Sequence, residues 1–244
     1  MTKFLHPFAL LTLTQARNLV DREPDPRTGA LRTLDRKESV LRAGLRLRPG
    51  QHWQIGLGAE RSRVDFDQEL VDRSNEGTAP ILEVRYQRRR LLVEGDVAFR
   101  SLKARLGSQL VPYKRPTGGL LASFRVAQRT SLSVYGNRAL VYSLSPEFSY
   151  IEDTRFGAGL TLELGSRIIT RLFYETGDNV YTPLLPATPD RTDDYENYGA
   201  TLTFALTADL SVGINAISAS FDSGAPGGDR TYRAVGATLN FGAK

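Results

Sequence analysis

The chain has no cysteine, only two histidines and one tryptophan. No apolar run in it comes near the roughly 18 residues that a membrane-crossing helix needs. Without cysteine there is no disulfide framework, no thiol nucleophile and no thiolate-held metal. Such a chain suits transit through an oxidising periplasm. His6 and His52 lie far apart and do not make a metal-ligand set by themselves. A Ser–His–Asp/Asn arrangement on a lipid-facing wall would be needed for a lipid-modifying enzyme. His52 has no serine beside it on its own face, and His6 precedes the first regular segment. Asp193-Asp194, or Glu94 with Asp96, read as loop solvation and salt-bridging rather than as an acid/base pair. No enzymatic activity, cofactor or metal is therefore expected.

Charge of one sign is not concentrated along the chain either. Of 32 basic residues 27 are arginine, but 27 acidic residues are interleaved with them and the net charge is only +5. No basic stripe forms, so nucleic acid is not an expected partner. Hydrophobic residues make up 41% and mean hydropathy is −0.29. Those values suit a soluble protein and equally a transmembrane β-barrel, in which only alternate strand residues face lipid.

What the chain does contain is a repeat. Tight polar turns near Gly50, Arg89, Gln128, Ser166 and Thr207 are 39, 39, 38 and 41 residues apart. Each is flanked by segments of period two. Leu41, Ala43, Leu45 and Leu47 alternate with Arg42, Gly44 and Arg46; Phe156, Ala158, Leu160, Leu162 and Leu164 alternate with Gly157, Gly159, Thr161 and Glu163. Between successive turns lies one longer polar stretch. Twelve strands are predicted, at about 7–19, 39–48, 52–65, 80–88, 91–102, 117–127, 130–142, 150–164, 167–176, 194–206, 209–221 and 230–242. The start, Met1-Thr2-Lys3 followed by Phe4 to Leu11, is interrupted at His6-Pro7, and Thr14-Gln15-Ala16 is a poor cleavage site, so it reads as first strand rather than leader.

Strand, short turn, strand, long loop over segments of 9–14 residues predicts one all-β domain, residues 1–244, folded as a transmembrane antiparallel up-and-down β-barrel of about 12 strands. A WD-type propeller shares the period but would need four short strands per repeat and a recurring Trp-Asp. A soluble sandwich or lipocalin-like barrel would have shorter strands.

The last strand carries Gly236, with Leu239 and Phe241 on a common face. It resembles the signal that outer-membrane proteins present to the barrel-assembly machinery. It departs from that pattern in having Gly242-Ala243-Lys244 after the aromatic and Ala234 where a polar residue is common. Residues Pro7 to Leu10 through Ala16 to Val20, the turn-then-strand units Thr130 to Val134 and Thr207 to Val212, and Glu175 to Tyr181 resemble the β-barrel porin family associated with bacterial exopolysaccharide loci. The resemblance covers most of the chain. It implies an outer-membrane location, contact with lipid and lipopolysaccharide, and a saccharide or other hydrophilic solute, but no catalytic residues.

Placing the aliphatic face outward assigns Arg42, Arg46, Glu60, Glu83, Arg85, Glu94, Asp96, Arg100, Arg125, Arg155, Glu163 and Arg171 to the lumen. Asp153 and Glu175 join them on the same alternation. Mixed signs predict ion-pair ladders across the lumen. Arg42 and Arg46, four apart with Gly44 between, predict a basic lip toward the periplasmic end. The functions this leaves are a channel for small or polymeric hydrophilic solutes, a non-conducting barrel that anchors a partner complex, and, third, an outer-membrane lipid-modifying enzyme.

Overall fold

The structure is a computed structural model that describes residues 2–6, 9–20, 36–66, 72–143, 145, 147–207, 209–225 and 228–242, the first two stretches as backbone only. Thirteen strands form one sheet in chain order. They are β1 (Thr2–His6), β2 (Ala9–Val20), β3 (Arg36–Leu47), β4 (Trp53–Phe66), β5 (Asn75–Arg88), β6 (Leu91–Ala104), β7 (Tyr113–Ala127), β8 (Thr130–Tyr142), β9 (Phe148–Leu164), β10 (Ile168–Pro183), β11 (Arg191–Ala205), β12 (Leu210–Ser223) and β13 (Arg230–Phe241). Every pairing is antiparallel between sequence neighbours. No helix occurs among the described residues.

The predicted turns near Gly50, Arg89, Gln128, Ser166 and Thr207 all join strands at one end of the sheet, and the long connections lie at the other. One expectation is corrected. The predicted first strand is preceded by a separate one: β1 folds back on β2, pairing Thr2 with Thr12 and His6 with Ala9. The sheet is open: among the described residues no ladder joins β13 to β1 or β2. β1 occupies the edge of β2 from Ala9 to Thr12, while β13 keeps a free edge, with Val235, Leu239 and Phe241 79%, 70% and 85% exposed.

Strands run further toward the long loops than local chemistry predicts. β5 starts at Asn75 rather than 80, and β10 continues to Pro183 rather than 176. Gly177-Asp178-Asn179 reads as a turn, yet it pairs with Arg155, Thr154 and Asp153 on one side and Tyr195, Asp194 and Asp193 on the other. Two neighbouring ladders outweigh local turn preference. Prolines show where ladders are weakest. The β5–β6 register passes from Thr78↔Ser101 to Ile81↔Ala98 across Pro80. Pro116 lies in the part of β7 beyond Gly118↔Arg138, where β8 no longer pairs with it.

The register sorts side chains onto two faces. One carries Leu41, Trp53, Leu57, Leu82, Phe99, Leu120, Val134, Phe156, Leu172, Leu202, Ile214 and Leu239, all strongly exposed. Large apolar side chains on this scale, open to the surroundings, are foreign to a water-facing surface. The apolar run on this face is short-turn proximal: in β9 it extends from Phe156 to Leu164. Nine residues at about 3.3 Å each, tilted about 40°, give a band about 23 Å tall, near the height of a transmembrane barrel's lipid belt. Nearer the long loops the same face turns charged, with Arg61, Arg63, Glu76 and Lys103.

Candidate functional site

All twelve residues predicted to line a lumen fall on the other face. Arg42 pairs in register with Glu60, Glu83 with Asp96, Arg85 with Glu94, and the alternation carries this face through Arg100, Arg125, Arg155, Glu163 and Arg171. Ion pairs form among them. Arg42 and Arg46 on β3 both reach across β4 to Glu83 on β5, Arg46 Nη2 at 2.9 Å from Oε2. Arg100 Nη2 is 3.2 Å from Glu60 Oε1, and Arg85 Nε is 3.8 Å from Glu94 Oε2. Further round the sheet, Arg155 Nε lies 2.7 Å from Asp153 Oδ1, its Nη2 donates to Asn179 Oδ1 at 3.2 Å, and its guanidinium sits 3.9 Å from the centre of the Tyr195 ring. Arg125, Glu163 and Arg171 are exposed close to the short turns and form no ion pair among the described residues.

Glycine explains how side chains two strands apart can touch. Gly56 on β4 has no Cβ, and one built there would stand 2.7 Å from Glu83 Oε2. Gly157 on β9 does the same for Tyr135, whose ring lies over it so that the hydroxyl donates to Glu175 Oε2 on β10 at 2.7 Å. The expectation of a free basic lip is thereby corrected. Arg42 and Arg46 share one carboxylate, leaving a single net positive charge, and Gly44 is not open space but faces Gly58, its would-be Cβ 3.2 Å from the Leu57 carbonyl oxygen. Charge along this half remains solvated: Arg42, Arg46, Arg85 and Glu94 side chains are 41%, 45%, 48% and 40% exposed. Arg46, Arg85 and Glu94 border a recess of about 480 Å³ that also takes in Asp96 and Tyr135.

Toward the long loops the interior is dry. Leu102, Leu110, Tyr113 and Tyr150 form a buried cluster with Val111, Leu140 and Tyr142, and Val64 and Phe66 join it through Tyr142. By alternation Tyr142 and Tyr150 share a face with Val134 and Phe156, yet here that face packs against the charged side of β4–β7. The switch falls where β7 leaves β8 at Gly118, whose φ of 150° and missing Cβ let β7 press onto the Asp96 carbonyl. The connection 105–112 is tucked in as well: Gln109 N donates to Asp72 O at 2.8 Å and Val111 N to Ser149 Oγ at 3.2 Å. Arg73 is fully buried, donating through Nη1 to Ser143 O at 2.6 Å and Phe148 O at 3.2 Å. Burial lowers its pKa from the ordinary arginine value. Glu152, nearly buried, is bonded by both Arg115 and Arg138.

Sequence reasoning did not single out Tyr135, Arg73 or Glu152. Tyr135 was within reach, since its odd position shares a face with Asn137. Arg73 sits in an irregular segment, where periodicity says nothing. His52 lies in a short turn with Nδ1 3.0 Å from Gln87 O and its ring 6.3 Å from Tyr86, and no serine is bonded to it among the described residues.

No family model matches the chain, and no curated protein matches it. Among solved structures, one from work on the in-meso crystallization of membrane proteins aligns over 97% of this chain and 83% of its own, at 11% identity and a TM-score of 0.37. OmpT, an outer membrane protein of Vibrio cholerae in trimer form, aligns over 96% and 82%, at 8% identity and 0.44. Neither likeness extends to sequence.

Proposed function

We propose that the chain is an outer-membrane β-barrel protein whose charged face lines a water-filled passage for small or polymeric hydrophilic solutes, saccharides among them. What carries the reading is the opposition of the two faces: an exposed apolar belt on one and half-exposed ion pairs directly behind it on the other. Charged groups at belt height are costly in hydrocarbon and belong to a wet interior. Closure brings the free edge of β13 against β2, which also removes the unpaired backbone that a bilayer does not accept.

Reconstitution into planar bilayers tests it. The full chain should run faster on gels when unheated and give discrete conductance steps. Protein that stays monodisperse in plain buffer without detergent is not a membrane barrel. A second reading, a non-conducting barrel that anchors partners, draws on the dry cluster around Tyr113 and Tyr142. It is the outcome if inserted, heat-modifiable protein passes no current.

A further inference from the structure

Arginines that are scattered along the sequence gather at one end of the sheet. The short turns place Arg48 between β3 and β4, Arg89 and Arg90 between β5 and β6, Arg129 between β7 and β8, and Arg167 between β9 and β10, with Arg88 beside them as the last residue of β5. All six are exposed and none forms an ion pair among the described residues; Arg90 donates to the Val126 carbonyl oxygen at 3.3 Å. The described residues of the five turns hold five arginines against one acidic side chain, Asp209, so the turns carry 5 − 1 = +4. At the opposite end, the described residues of the long connections hold Arg73 and Arg105 against Asp72, Glu147, Asp190 and Asp229, or 2 − 4 = −2. Among the described residues of the connections, charge is therefore polarised from one end of the sheet to the other.

Two further observations bear on what the rim meets. Arg89 opens a two-residue turn with φ 47°, a left-handed conformation that glycine or asparagine adopts at less cost. Arginine stands there against local preference. The rim also lies immediately beyond the apolar belt, at the level of Trp53 and Tyr86, whose rings are 4.6 Å apart. Aromatic pairs of this kind mark the interface between hydrocarbon and headgroups. Guanidinium groups one step further out stand at the depth of the headgroup phosphates, which they bind in fork geometry.

We propose that the short-turn rim is a binding surface for the phosphodiester headgroups of anionic phospholipids in the leaflet at that end, gripping the bilayer there and fixing how deep the sheet sits. The proposal rests on the membrane reading above but not on conduction.

The molecule carries its own reporter, because Trp53 is the single tryptophan and sits at the rim, 46% exposed. The full chain is refolded into vesicles that mix phosphatidylcholine and phosphatidylglycerol, with bromine on the acyl chains of one lipid or the other, and quenching of Trp53 is compared. Brominated phosphatidylglycerol should quench several-fold more effectively at equal mole fraction at about 0.05 M salt, with the preference shrinking by about 0.5 M as the charges are screened. Replacing Arg88, Arg89, Arg90, Arg129 and Arg167 together by glutamine should erase the preference, and replacing them by lysine should keep most of it. Equal quenching by both lipids in the parent overturns the proposal alone. So does a preference that survives in the glutamine variant, or one abolished by free glycerol phosphate, which would mark a soluble-anion site instead of a leaflet. No quenching by either lipid overturns the proposal and the membrane reading together.

Discussion

Arg73 and Glu83 show two ways in which a charged side chain is held in this sheet. Arg73 is enclosed, with two backbone carbonyls as acceptors and the Phe66 ring 5.4 Å from its guanidinium carbon. Truncation leaves the Ser143 and Phe148 carbonyls without a buried donor. Arg73→Ala should therefore cost about 2–4 kcal/mol, read as a lower urea midpoint for loss of the fast-migrating band in detergent. Glu83 is instead open to water and binds two arginines at once. Glu83→Gln should leave the fold intact and free both guanidinium groups, so that the reversal potential in a salt gradient moves toward anions. An unchanged potential would mean that these arginines do not face the conducted path. The spacing of Arg42 and Arg46 already puts them on one face, and the face of Glu83 is equally legible. Their meeting is not, because it depends on the register of β4 between them and on glycine at position 56. Arg73 leaves no trace in the sequence, since a polar loop residue looks the same whether buried or solvated.

At the level of strands, alternation located every short turn and the facing of every lumen candidate, because period two is set by the backbone and does not depend on neighbours. Not every strand end toward the long loops was legible: β10 continues through Asp178 and Asn179 because it has a paired neighbour on either side, and β5 begins at Asn75. The β8–β9–β10 segment also yields a sharp test. A valine at Gly157 would drive its side chain into the Tyr135 ring. Gly157→Val should destabilise by about 1–3 kcal/mol, and adding Tyr135→Ala should recover part of the loss, measured by thermal unfolding in detergent. If Tyr135→Ala gives no recovery, the ring does not lie over the glycine. Tyr135→Phe keeps the ring and removes only the donor to Glu175, so it should unfold close to the parent.

For the molecule as a whole, the natural absence of cysteine makes closure directly measurable. Ala237→Cys combined in turn with Leu13→Cys or Gln15→Cys, beyond the stretch of β2 that β1 covers, should give an intramolecular crosslink in at least one pair after membrane insertion, with urea-unfolded chains as the control. No crosslink in any pair would leave β13 with a free edge in the bilayer. The all-β class and the strand order were readable from the 39-residue period, but whether the sheet closes was not, since contacts between residues more than 200 positions apart leave no local pattern. The glycines beneath Glu83 and Tyr135 have a last consequence, which concerns calibre. Side chains that lie down along the wall make that wall little thicker than backbone, so the proposed passage would be wider than a ring of upright arginines and glutamates would allow. A methyl group at position 56 would prop Glu83 off the wall and lift Arg42 and Arg46 with it, throttling the passage without adding any bulk of its own to the middle of the path. Gly56→Ala should accordingly lower single-channel conductance more than its size suggests, the width of the proposed passage being set by hydrogen atoms that stand where side chains are missing.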